Sequence, residues 1–132
     1  MVEIAGHARA TGRGGWHLVR DGAVVTLSRH LPARFDLSAS TVLHLRGGAV
    51  GRARLAHQVR QDVWRCLRDL RGFRPVVRVE RVSDSLHLTA GGALTAGVPG
   101  VALRAKAQGL LNDLLSDPGR QARWLRHAGG AA

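Results

Sequence analysis

The sequence predicts an α+β domain: a small antiparallel sheet built from two hairpins, packed against one long amphipathic helix and one or two C-terminal helices. Three observations predict it. Two stretches of alternating apolar residues are each broken by a turn signal, Asp21-Gly22 in one and Ser83-Asp84-Ser85 in the other. Between them, residues 52–71 repeat their apolar positions at steps of three and four. The same helical period resumes after residue 101. With 132 residues, 45% of them hydrophobic, the chain has the size of one domain and enough apolar content for a core.

Taken in order, residues 1–15 are rich in Gly, Ala and Arg, show no period, and are expected to form a flexible basic arm. Residues 16–29 form the first hairpin. Trp16, Leu18 and Arg20 share one face, Asp21-Gly22 turns the chain, and Val25 and Leu27 continue the alternation. Phe35, Leu37 and the run Val42 to Leu45 make a third extended piece, closed by Gly47-Gly48. In the helix over 52–71, Leu55, Val59, Val63, Cys66, Leu67 and Leu70 build one apolar stripe. Gly72 stands where a left-handed C-cap belongs, and Pro75 prevents continuation.

Residues 76–82 alternate as a strand, and Leu86 to Thr89 return antiparallel to it, ending at Gly91-Gly92. Leu103, Ala107, Leu110, Leu111 and Leu114 predict a helix over 101–115, in which Gly109 costs about 1 kcal/mol relative to Ala. Asp117 followed by Pro118 is an N-cap with proline at the first helical position, so a last short helix carries Trp124 and Leu125. The resulting order is ββ(β)–α–ββ–α–α. The folded domain is expected over 16–128, with 129–132 a disordered tail.

The chain carries 20 Lys+Arg against 9 Asp+Glu, a formal net charge of +11. Lys106 is the one lysine; the other basic residues are all arginine, and Ala and Gly are also abundant, a pattern that a GC-rich genome produces through codon usage. Codon usage exchanges Lys for Arg but does not create a surplus of charge. A surplus of this size favours polyanions: nucleic acid, an anionic membrane surface or an acidic protein. It is also uneven. Residues 52–74 hold seven Arg and two Asp, a balance of +5, whereas residues 75–100 balance at zero.

At 100° per residue, Arg54, Gln58, Gln61, Arg65 and Arg68 fall on one side of the long helix, opposite its apolar stripe. Arg60, Trp64, Arg68 and Arg71 form an adjoining ridge, on which an indole flanked by guanidinium groups can stack on a base while the arginines hold phosphates. A helix of this polarity also suits a major groove about 12 Å wide. The last helix adds Arg120, Arg123 and Arg126, and the arm adds Arg9 and Arg13, placed to reach a minor groove. Arg13-Gly14-Gly15 and Arg46-Gly47-Gly48 echo the RGG segments of RNA-binding proteins, although arginine beside a glycine turn has the same spelling.

Catalytic and metal signatures are missing. None of the seven His sits in HExxH or pairs with another at helical spacing, and one cysteine, Cys66, provides neither a disulfide nor a CxxC site. No P-loop and no GxGxxG after a strand occurs. Cys66 lies on the apolar stripe and reads as core packing rather than as a nucleophile. No cofactor, metal or membrane association is expected, and the reducing cytoplasm is the expected compartment. The expectation is therefore a non-enzymatic, nucleic-acid-binding protein, DNA ahead of RNA, in a regulatory or architectural role. Two rivals remain: an assembly module that docks on an acidic protein or forms a homodimer, and a small enzyme with a basic pocket for a phosphorylated substrate.

Overall fold

In the computed structural model residues 8–45 and 49–129 are described, residues 8–13 through their backbone alone. The elements are β1 (Ala8–Arg13), β2 (Trp16–Asp21), β3 (Val24–Ser28), β4 (Leu37–His44), α1 (Arg52–Leu67), β5 (Phe73–Val82), β6 (Ser85–Leu94), α2 (Val101–Ser116) and α3 (Pro118–Gly129). The six strands form one antiparallel sheet in the order β1-β2-β3-β5-β6-β4. The fold is α+β, and the two expected hairpins, β2–β3 and β5–β6, are its centre.

Alternation decides which face of the sheet is covered. Val25 and Leu27 on β3 lie opposite Val79 and Val77 on β5, which lie opposite Leu88 and Ala90 on β6. All six are buried. Onto this face α1 sets Leu55, Ala56, Val59, Val63 and Leu67. α2 packs over β4, and α3 packs against α1. The opposite face carries the alternate row Val19, Thr26, Arg78, Thr89 and Ser40 across five strands, polar and β-branched side chains of the kind a half-open antiparallel sheet presents to water.

Five sequence expectations need correction. Ala8–Arg13, read as part of a flexible arm, form β1 and pair along β2 from Ala8↔Asp21 to Arg13↔Trp16. The cause is Gly14-Gly15, whose φ values of +61° and +83° make the two-residue turn that only residues tolerant of the left-handed region supply. The Arg13-Gly14-Gly15 echo is thus a hairpin turn. The expected helix over 52–71 stops at Leu67, where tight turns close through Leu70 N–H to Leu67 O and Phe73 N–H to Leu70 O. Gly72 still takes a φ of +71°, but it launches β5 rather than capping α1. Gly91-Gly92 do not end β6 but lie inside it, and β5 begins at Phe73 rather than at 76. A Cβ at Gly91 would overlap the Leu37 carbonyl, and one at Gly92 the Arg74 carbonyl, so both glycines let neighbouring strands approach.

Asp117 caps α3 as expected, its Oδ2 accepting the Arg120 backbone N–H at 3.0 Å. Gly129 belongs to α3, while 130–132 and the Arg46-Gly47-Gly48 triplet lie outside the described residues.

Candidate nucleic-acid interface

α1 is amphipathic, and its two edges meet different surroundings. Asp62 and Trp64 are two residues apart and so about 200° apart around the axis. One edge faces α3, the other the ends of β2, β3 and β5.

At the α3 edge Asp62 is 8% exposed. It accepts hydrogen bonds from Trp124 Nε1 at 2.7 Å and from the Arg123 guanidinium, with Arg65 Nη1 at 3.4 Å. Arg120 is held 3.6 Å from Asp117. Asp62 and Asp113 sit among Arg65, Arg120 and Arg123 around a groove of about 440 Å³. The acids here offset much of the basic charge. Arg65, Arg120 and Arg123, expected to face a partner, are in ion pairs within the chain, so the α3 side is a weaker anion surface than its sequence implies. Cys66 lines the same groove, and burial pushes its thiol pKa up, which keeps it protonated and poorly nucleophilic.

At the other edge, the described residues that line the cavity beside Trp64 include no carboxylate. Trp16, at the start of β2, has two guanidinium groups over its ring, Arg29 at 4.4 Å and Arg60 at 4.6 Å from the centroid. Trp64 stacks on Phe73 with centroids 6.4 Å apart and planes 11° from parallel, yet it remains 41% exposed. Together with Arg74 and Pro75 these residues line a cavity of about 110 Å³. Arg29 and Arg74 also line a second cavity of about 210 Å³, with His30, Pro32 and Arg34 at its rim. Arg29 is anchored by donating to the Gly14 carbonyl at 3.2 Å. Arg34 is engaged by Asp36 at 2.7 Å.

The electrostatics of this edge favour an incoming anion. Partial burial, and then the charge of Arg29, lower the Arg60 pKa. Its Nε is buried with no hydrogen-bond partner among the described residues. Burial and the adjacent Arg60 charge also lower the His57 pKa, so this histidine is neutral at pH 7 and adds no charge. An anion between the guanidinium groups would relieve their mutual repulsion.

The remaining expected contacts divide simply. Arg54, Arg68 and Arg71 are exposed on α1 and the turn after it, and Arg126 on the last turn of α3. None of the four has an acidic partner among the described residues. Arg9 and Arg13 lie in β1, and their side chains lie outside what is described. Sequence reasoning missed Trp16, Arg29 and Arg74 as site residues. Their common signal is position at strand ends: Arg29 follows the last residue of β3, and Arg74 is the second residue of β5. Among the described residues no group of three His, Cys, Asp or Glu is placed to hold a metal, and no helix is long and apolar enough to cross a membrane.

Compared with protein-family models, curated proteins and solved structures, the chain matches none.

Proposed function

We propose that this protein binds nucleic acid without catalysing a reaction, DNA ahead of RNA, through the arginine-bearing side of α1, and that its role is regulatory or architectural. One observation carries the reading. Arg54, Arg68, Arg71 and Arg74 stand exposed with no acidic partner among the described residues, and Arg74 also lines the Trp16/Arg29/Arg60/Trp64 cavity, which has no carboxylate among its described lining residues. Exposed arginines without acidic partners match a phosphate backbone by charge and by their planar fork.

A titration of labelled duplex from low to physiological salt tests it. With about five phosphates engaged, log K falls against log salt with a slope near −4.5. No binding even at low salt would end the reading. Arg54→Glu with Arg68→Glu is the informative double variant: both lie off the buried stripe, and unlike Arg65 neither touches Asp62. It is expected to abolish binding and leave the circular dichroism spectrum unchanged.

A second reading, a homodimer or other protein assembly, is favoured by a different observation. α2 and the segment before it leave Val98, Val101, Leu103 and Leu110 exposed. Leu103 and Leu110 line a groove of about 130 Å³ with Leu67 and Leu70, bordered by Asp69 and Lys106. Sedimentation of nuclease-treated protein distinguishes the two: a dimer that persists without nucleic acid supports assembly through α2, and a monomer excludes the homodimer.

A further inference from the structure

We infer that the Trp16/Arg29/Arg60/Trp64/Arg74 trough accepts an unpaired nucleotide, so that the protein prefers single-stranded or locally opened nucleic acid to closed duplex. The inference rests on the nucleic-acid reading above and deepens it.

Three features point to this ligand. First, size. The cavity that all five residues line measures about 110 Å³, well below the roughly 300 Å³ at which a pocket encloses a small-molecule substrate. Such a trough takes one unit of a polymer rather than enclosing a whole metabolite. Second, chemistry. The trough sets an exposed indole, Trp64, beside three arginines, with no carboxylate among its described lining residues. A base needs a π surface, and the phosphates on either side of it need cations. Third, rigidity. Trp64 is backed by Phe73, which is buried, so the platform costs little ordering when a base arrives.

The two tryptophans are not equivalent. Arg29 and Arg60 already sit over the Trp16 ring. Trp16 therefore fixes the guanidinium groups, and Trp64 is left to receive the base. The phosphates fall to Arg29 and Arg74, which reach both cavities. In a closed duplex each base face is already covered by its neighbours, so only an unpaired base can lie on Trp64.

The test compares a single-stranded oligonucleotide, as DNA and as RNA, with a duplex of equal length at one salt concentration, using wild type and two variants. Wild type is expected to bind the single strands more tightly. Trp64→Ala is expected to weaken single-strand affinity about 5- to 150-fold, the range for losing one base–aromatic stack, and duplex affinity by a smaller factor. Trp64→Phe, which keeps a stacking ring, is expected to retain most of the affinity and guards against a folding artefact. Arg74→Ala, at an exposed site, is expected to weaken single-strand binding and flatten its salt slope by about 0.7. Equal affinity for both forms, or a Trp64→Ala variant that binds single strands like wild type, overturns this inference while leaving backbone binding intact. Failure of every oligonucleotide to bind at low salt instead overturns the broader reading.

Discussion

Asp62 shows how one buried carboxylate redirects a basic surface. From sequence it is one of two acids on a helix dense in arginine; in the fold it ties α1 to α3 through Trp124 and Arg123. Replacing it with Leu leaves the indole N–H of a fully buried tryptophan without an acceptor. Arg123 is 38% exposed and can turn to water, so the loss falls below that of a fully buried ion pair. We expect Asp62→Leu to cost about 2 kcal/mol in urea unfolding at neutral pH, and Asp62→Asn, which keeps an acceptor for Trp124, distinctly less. Asp36 gives a pH prediction. The Arg34 guanidinium and the Leu94 backbone N–H, 2.8 Å away, hold its carboxyl below the usual carboxylate pKa. A lowered folded pKa means stability that is present above the unfolded value, near 3.9, and is lost as pH falls through the folded one. Thermal unfolding followed downward from pH 6 should therefore show a steeper acid loss for wild type than for Asp36→Asn.

At the scale of elements, what was legible depended on whether a pattern or a partner fixes the structure. α1 and α2 were readable because a helix buries one face, and that face repeats along the chain. β1 was not, because Ala8–Arg13 holds no large apolar residue; its strand is defined by the Gly14-Gly15 turn and by backbone pairing with β2. Gly91 and Gly92 read as a break because glycine usually ends a strand, but here the crowding of Leu37 and Arg74 across the sheet requires them. Gly109 is different: a Cβ there would meet nothing within 4 Å. The contrast is testable by differential scanning calorimetry. Gly109→Ala is expected to raise stability by about 1 kcal/mol, the helix-propensity difference. Gly92→Ala, forced against a strand backbone, is expected to lower it by at least about 2 kcal/mol. A neutral Gly92→Ala would mean that β5 and β6 separate more easily than their register implies.

At the scale of the whole molecule, the site was half legible. Arg60 and Trp64 stand one helical turn apart on α1, and helical period exposes that pairing. Trp16, Arg29 and Arg74 reach the same place only because β3 pairs with both β2 and β5, a register that no local pattern encodes. The charge behaves the same way. A net +11 repels itself in the folded state, and if the repulsion is concentrated on α1 it should respond to where charge is removed, not only to how much. Arg54, Arg68 and Arg71 all changed to Glu lower the net charge from +11 to +5, each replacement removing two charges. The same three replacements at Arg20, Arg81 and Arg126, spread over β2, β5 and α3, reach the same total. Added salt shortens the Debye length to about 8 Å at 0.15 M and should raise the melting temperature of wild type by screening the repulsion. The variant changed on α1 and the turn after it is expected to lose most of that salt response, and the dispersed variant to keep a larger part of it. Equal responses would mean that the charge acts only in bulk, and the α1 surface would then have no local field with which to draw in a polyanion.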